Sequence, residues 1–226
     1  MRKKCALILL TGVMVLTLAV ANAAWADETG NMVFFRGGWA GLTSDRAGEV
    51  FTDVFGRNNQ RNDGKSGYYV GGALDLVLSK DVWGMMSKTW ALGEIGVEFK
   101  RWDSKIVTQA VPSTCAATGA IPTCSIRNDK VPLTMLTVDI APKIKFMEGS
   151  RLRPWIIPIG LDFHVISPPS NASTYLDIGV QFGAGAEYRI YKAFHVGLDG
   201  RFHLASGQTQ TTNNFGTAGI YLGIAF

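Results

Sequence analysis

The chain contains 226 residues, 47% of them hydrophobic, and its 22 basic and 18 acidic residues give a formal net charge of +4. Three of the basic residues, Arg2, Lys3 and Lys4, stand at the start of the chain, so residues 5–226 carry 19 basic against 18 acidic side chains. This near-neutral balance argues against a nucleic-acid partner, which would require a clustered basic face.

The first 26 residues are predicted to be a secretory signal peptide. The three basic residues are followed by an apolar run at 6–20 and by the small-x-small site Ala24-Trp25-Ala26. Residues 21–23 offer an alternative cleavage site. A single membrane helix is the competing interpretation, but a run of about 15 residues is short for one. We therefore expect a signal peptide at 1–26 and one domain at 27–226.

Beyond the signal, the sequence alternates between apolar and polar or small residues with the period of a β-strand. Eight segments show this pattern: 31–41, 67–79, 89–102, 131–146, 152–164, 174–189, 194–205 and 215–226. None of them is a continuous apolar run long enough for a membrane helix, so a membrane-spanning form would have to be a closed barrel. The predicted fold is all-β, an eight-stranded antiparallel up-and-down transmembrane barrel. A soluble periplasmic protein is the alternative.

The alternation assigns one face of each strand to the outside and one to the interior. Phe35 and Trp39 are predicted to face outward in the first strand, and Trp155, Ile157 and Ile159 in the fifth. Eight strands enclose a space that side chains can fill, so inward charges should pair with one another; a narrow polar pathway for small solutes is the alternative. The predicted interior charges are Arg36, Asp75, Glu94, Glu98, Lys100, Asp139, Lys143, Lys145, Asp162, Glu187, Arg189, Asp199 and Arg201.

Three prolines interrupt the fourth and fifth predicted strands. Pro142, Pro154 and Pro158 cannot donate to a ladder of hydrogen bonds, and a closed barrel has no free edge at which to place them. We expect a bulge or bend in this hairpin.

The connections alternate in length, which predicts an orientation. The short ones are 80–88, 147–151 and 190–193, and the polar and mostly longer ones are 42–66, 103–130, 165–173 and 206–214. In bacterial barrels the short turns face the periplasm and the long loops face outward. Both termini are then expected in the periplasm.

Cys115 and Cys124 lie in the predicted outer loop 103–130. An oxidising compartment and the lack of further ligands favour a disulfide between them over two free thiols or a metal site. The three histidines, His164, His195 and His203, have no cysteine partners and form no ligand spacing that is typical of a metal site. Neither a metal nor a cofactor is predicted.

The last eight residues, 219–226, read Gly-Ile-Tyr-Leu-Gly-Ile-Ala-Phe and resemble the closing strand of Gram-negative outer-membrane β-barrels. In that family the terminal phenylalanine is the recognition signal for the barrel assembly machinery, which implies the same role for Phe226. The stretch 27–226 as a whole resembles the small eight-stranded outer-membrane proteins of the A-type and X-type, a porin-like β-barrel group. This resemblance implies an outer-membrane location and a role in envelope integrity, adhesion or loop-mediated binding. The implied partners are outer-membrane lipid and lipopolysaccharide, the assembly machinery, and host or phage surface ligands.

A second resemblance concerns residues 201–206. They are similar to the His-x-Ser-Asn stretch of outer-membrane lipid A deacylases, which are eight-stranded barrels with a serine, histidine and acidic triad. The sequence departs from that motif, because Ala205 occupies the position of the nucleophile and Gly207 follows Ser206. A hydroxyl is a weak nucleophile without a base in reach, so an enzyme is not predicted and a deacylase is the less favoured alternative.

Overall fold

A computed structural model of the protein describes residues 30–43, 65–102, 105–110, 126–131, 133–167, 175–206 and 213–226. No helix among these residues is long and apolar enough to cross a membrane. The predicted signal peptide at 1–26 and the pair Cys115 and Cys124 lie outside them. The elements, in chain order, are β1 (Met32–Leu42), β2 (Ser66–Lys80), the short helical turn α1 (Asp81–Gly84), β3 (Trp90–Trp102), β4 (Lys105–Ala110), β5 (Ile126–Val131), β6 (Thr134–Lys145), β7 (Leu152–Ser167), β8 (Tyr175–Tyr191), β9 (Phe194–Ala205) and β10 (Phe215–Ala225).

Eight of the strands form one closed antiparallel barrel, in the order β1-β10-β9-β8-β7-β6-β3-β2. The first and last strands close it along a continuous register from Met32 paired with Ala225 to Leu42 paired with Phe215. Closure satisfies the backbone groups that an open sheet would leave at its edges. The predicted eight-stranded all-β barrel is confirmed.

The two ends of the barrel differ in their connections. At one end, called the turn end, the strands are joined by 81–89, 146–151 and 192–193. At the other, called the loop end, the connections are 43–65, 103–133, 168–174 and 206–214. The two longest links, 43–65 and 103–133, are both at the loop end, as predicted. The difference does not hold for every link, because 168–174 and 206–214 are no longer than 81–89.

The predicted loop 103–130 is not a simple loop, which corrects the sequence analysis. β4 and β5 lie within it and form a separate two-stranded sheet from Lys105 paired with Val131 to Ala110 paired with Ile126. Since β3 ends at Trp102 and β6 begins at Thr134, this ribbon follows directly on the β3–β6 hairpin at the loop end.

The inward and outward faces follow the predicted alternation except in β7. Trp155 and Ile157 are 1% and 2% exposed and face the interior, so their predicted outward orientation is wrong. The register between β7 and β8 shifts between Ile157 and Gly160, and the register between β6 and β7 shifts between Ile140 and Ile144. One extra residue reverses the alternation. The bulge expected from the prolines is confirmed, and it explains why the first half of β7 was assigned to the wrong face.

Two apolar clusters fill the barrel interior toward its ends. The loop-end cluster consists of Ala40, Tyr69, Trp102, Leu133, Met135, Ile166 and Phe215. The turn-end cluster consists of Met32, Phe34, Ala73, Ala141, Trp155, Ile157 and Tyr221. Arg36 on β1 and Asp139 on β6 lie between the two clusters. The most deeply buried charges are thus covered by apolar side chains on both sides.

Candidate functional site

The outside of the barrel is an apolar belt to which every barrel strand contributes. The exposed fractions are 58% for Phe35, 47% for Ile95 and 60% for Ile220, and the other strands contribute similarly exposed side chains. The belt is defined here as Phe35, Val70, Ile95, Ile140, Leu161, Ile178, Leu198 and Ile220. Water-soluble monomers rarely expose a contiguous apolar surface of this kind, whereas hydrocarbon requires one.

Arg36 is the hub of the interior. Its guanidinium contacts carboxylate oxygens of Glu94 at 2.9 Å, Glu98 at 2.6 Å and Asp139 at 2.8 Å. Arg201 reaches the same group from β9, with Glu94 at 2.7 Å and Asp199 at 2.9 Å. Two planar cations therefore share a ring of four carboxylates, which is the geometry in which buried charges are best compensated.

A second group of charges lies toward the turn end. Lys143 donates to Asp75 at 2.9 Å and to Glu94 at 3.0 Å, and its ammonium lies 4.5 Å from the centre of the Trp155 ring. Lys145 donates to Glu187 at 2.8 Å, and His195 Nδ1 lies 3.0 Å from the same carboxylate. Glu94 connects this group to the Arg36 hub, so the ion pairs form one network through the barrel.

The structure places every predicted interior charge except Arg189 among the buried residues. It also adds two charges that the sequence analysis missed. Arg153 lies over the Trp90 ring at 4.1 Å and was hidden by the reversed face of β7. Asp177 is fully buried and lies on the polar face of β8, where the alternation itself could have identified it.

The residues of the deacylase-like stretch do not form a serine–histidine pair. Ser206 donates its hydroxyl hydrogen to Asp177 at 2.6 Å, whereas His203 Nδ1 lies 2.7 Å from Asp162. His203 is buried inside the barrel, where its ring stacks on Phe215 with 4.2 Å between centroids. The two side chains belong to different pairs, and the histidine faces away from the lipid side.

Asp162, His164 and His203 are brought together, which corrects the view that the histidines are scattered. One ligand atom from each lies within 4.8 Å of the others, and all three residues are buried. Asp162 and His164 share the inward face of β7, and His203 comes from β9, two strands away. The sequence could reveal the first pair by its i, i+2 spacing but could not reveal the third member.

The fold is that of the small eight-stranded outer-membrane β-barrels. No protein-family model matches the sequence, and no curated protein matches it either. Among solved structures, Neisserial surface protein A (NspA) is similar over 87% of this chain and 97% of its own, with a TM-score of 0.52 and 11% identity. Ail, the attachment invasion locus protein of Yersinia pestis, solved in complex with the heparin analogue sucrose octasulfate, covers 87% of this chain and 99% of its own, with a TM-score of 0.36 and 11% identity.

Proposed function

We propose that the protein is a non-conducting outer-membrane barrel of a Gram-negative cell that acts through its loop end, as an adhesive or ligand-binding surface. The observation that carries this proposal is the combination of an apolar belt outside with a closed ion-pair network inside. The belt supports a membrane location. Because the ion-pair network fills the interior of the closed barrel, we propose that a large external ligand binds at the loop end.

The buried state of the interior charges argues against a solute pathway. A water-filled channel would leave its lining charges accessible, but Asp75, Glu94 and Lys100 are each 0% exposed. Aromatic side chains close the interior beyond them, with Trp102 and Phe215 at the loop end 5.6 Å apart and edge to face. An eight-stranded barrel filled in this way is a plugged scaffold.

The proposed orientation places the turn end and both chain termini in the periplasm. Asn31 and Phe226 are adjacent there, since the backbone N–H of Phe226 donates to the carbonyl of Asn31 at 3.0 Å. Lipopolysaccharide and outer-membrane lipid are the proposed partners of the belt, and the barrel assembly machinery is the proposed partner of the C-terminal strand. Host or phage surface molecules are the proposed partners of the loop end.

Three measurements test the proposal. The first is the conductance of the purified protein in a planar bilayer, where we expect no stable single-channel steps; large, reproducible steps would favour the pore. The second is the binding of intact cells to host-cell surfaces and phage after replacement of residues 111–125 by a short turn, with an equal change in the turn-end link 147–151 as the control. We expect only the replacement of 111–125 to reduce binding.

The third measurement is the mass of lipid A from cells with and without the protein. We expect no difference in mass, and loss of an acyl chain in the presence of the protein would instead support the deacylase alternative.

A further inference from the structure

We propose that Asp162, His164 and His203 form a binding site for a divalent transition-metal ion, of which Zn²⁺ is the best fit. The site lies inside the barrel, directly below the loop-end cluster. It is independent of the adhesive role proposed above.

The first argument is the donor set. Two imidazole nitrogens and a carboxylate oxygen are ligands that Zn²⁺ takes in proteins, whereas Ca²⁺ and Mg²⁺ prefer oxygen alone. The three ligand atoms lie within 4.8 Å of one another. Ligands of a tetrahedral zinc ion are about 3.3 Å apart, so a contraction of up to about 1.5 Å would bring the three atoms to that spacing and leave the fourth position for another ligand.

The second argument is that each of the three residues keeps one donor atom without a hydrogen-bond partner, although Nδ1 of His203 and Oδ2 of Asp162 are hydrogen-bonded to each other. Among the described residues, Nε2 of His164, Nε2 of His203 and Oδ1 of Asp162 are buried without a hydrogen-bond partner. Buried polar atoms normally have partners, and exceptions call for an explanation. A metal ion shared by these residues would satisfy them.

The third argument is the support behind His164. Its Nδ1 lies 3.0 Å from the hydroxyl of Thr137, which also accepts a hydrogen bond from Lys100 at 2.9 Å. Metal-binding histidines commonly hold their second nitrogen in this way, which fixes the ring and directs the other nitrogen at the metal. The ammonium of Lys100 is itself paired with Glu98, which reduces its repulsion of a bound cation.

The intervening strand leaves room for the site. Gly179 in β8 lies between Asp162 of β7 and Ala205 of β9, and a Cβ on it would stand 3.2 Å from Nε2 of His164. The nearest atom to such a Cβ would be the backbone oxygen of Leu204 at 2.6 Å, so a side chain does not fit there without a shift. The glycine therefore leaves space beside Nε2 of His164.

The fourth argument is the charge balance of the interior. Within the described part of the chain, the buried carboxylates outnumber the buried lysines and arginines by eight to six. The carboxylates are Asp75, Glu94, Glu98, Asp139, Asp162, Asp177, Glu187 and Asp199, and the cations are Arg36, Lys100, Lys143, Lys145, Arg153 and Arg201. Uncompensated buried charge is costly. A metal ion at Asp162 would supply further positive charge.

The test is a calorimetric titration of Zn²⁺ into the untagged full chain, extracted from membranes into detergent. Cys115 and Cys124 are replaced by serine throughout, and Cys5 is expected to be removed with the signal peptide, so that thiols do not bind the metal; the absence of Cys5 is checked by mass spectrometry. We expect one ion per barrel. His164→Ala and His203→Ala should each weaken binding by about 100-fold or more, and Thr137→Val by about 10-fold. His195→Ala is the matched control, because it removes a buried histidine at the turn end, and it should leave binding unchanged.

Each variant is first checked for a heat-modifiable, folded band. If a variant fails to fold, X-ray absorption at the zinc edge of the zinc-loaded cysteine-free protein decides, with two imidazoles and no sulfur expected in the coordination shell. The proposal is overturned if the cysteine-free parent protein binds no stoichiometric zinc, if binding survives both histidine substitutions, or if His195→Ala abolishes it. In those cases Asp162 and His203 are simply a buried hydrogen-bonded pair.

Discussion

At the scale of single residues, Arg36 makes several of the ion pairs in the barrel interior. It is the point at which Glu94, Glu98 and Asp139 converge, each within 3 Å of its guanidinium nitrogens. The alternation of β1 was enough to place it inward, because a lone charge among outward Phe35 and Trp39 can only face the interior. Its partners, however, come from strands far away in the sequence, and pairing between strands cannot be read from alternation alone.

Arg36→Met should therefore destabilise the barrel strongly. Loss of the cation removes an ion pair from three buried carboxylates and leaves Asp139 with Arg201 at 3.7 Å instead of Arg36 at 2.8 Å. Breaking a buried ion-paired group by removing one member costs about 3–5 kcal/mol. The free energy of unfolding by urea in lipid vesicles measures this. Arg101→Met, on the exposed face of β3, is the control and should cost under about 1 kcal/mol. Equal costs for the two variants would contradict the ion-paired interior.

Gly96 offers a test of how closely the hub is filled. A Cβ on Gly96 would lie 2.6 Å from Oδ1 of Asp139 and 2.8 Å from a guanidinium nitrogen of Arg36. Gly96→Ala must displace this ion pair and should cost about 1–3 kcal/mol. Gly200→Ala is the matched control, because its nearest neighbour would be a backbone oxygen at an ordinary 3.6 Å. We expect the same urea titration to show a lower unfolding free energy for the first variant only.

At the scale of elements, β7 and the β4–β5 ribbon mark the limit of what the sequence could predict. The prolines predicted an irregularity in β7 but not its position along the strand. A bulge reverses the faces of the residues on one side of it, so the orientation of a residue depends on where the bulge lies. The outward orientation predicted for Trp155 and Ile157 assumed that no bulge separates them from Asp162. The ribbon was missed because its strands are six residues each and show no clear alternation. By contrast, Glu94, Glu98 and Lys100 of the long strand β3 face the interior as predicted.

The C-terminal element yields a prediction about assembly. If Phe226 is read by the assembly machinery, its deletion should reduce the amount of inserted protein several-fold while the molecules that insert remain folded. Quantification of the heat-modifiable band in outer-membrane fractions measures both. Ile220→Val in the same strand is the control and should insert normally. If the deletion variant inserts as well as this control, the proposed role of Phe226 as an assembly signal is contradicted.

The ribbon yields a prediction about the cysteines. Cys115 and Cys124 lie between Ala110 and Ile126, the last paired residues of β4 and β5, so a disulfide would constrain the tip of a hairpin. Closing a loop of about ten residues contributes roughly 2–3 kcal/mol in the chain-entropy model, and here it would act on that tip alone. Replacing both cysteines by serine should leave insertion unchanged and make residues 103–130 more sensitive to protease on intact cells. Labelling of both thiols in the unreduced protein would show that the bond is absent.

At the scale of the whole molecule, the belt defines where the bilayer should lie. Ile220 is 60% exposed near the middle of β10, and Leu78 is 61% exposed near the turn end of β2. An arginine facing lipid costs about 2–4 kcal/mol at the bilayer midplane and about 0–1 kcal/mol near the interface. Ile220→Arg should thus lower the unfolding free energy in vesicles much more than Leu78→Arg. Similar effects at the two equally exposed positions would contradict the proposed placement.

The barrel architecture was predictable because every strand of a closed barrel shows the same alternation of outward apolar and inward polar residues. Eight such segments in one chain are compatible with few other arrangements. The meeting of Asp162, His164 and His203 was not predictable, because it depends on the stagger between strands and on Gly179 in the strand between them.

The pairing of β1 with β10, called the seam, affects how the chain behaves before the barrel closes. Met32 pairs with Ala225 and Leu42 with Phe215, so the two sides of the seam are almost the whole chain apart. Until β10 arrives on the same side of the inner membrane, β1 has no partner on one edge, and an unpaired apolar strand is prone to join other chains. If the protein is exported to the outer membrane as proposed, we expect the unfolded chain to need a chaperone that keeps it from pairing with other copies until the barrel closes.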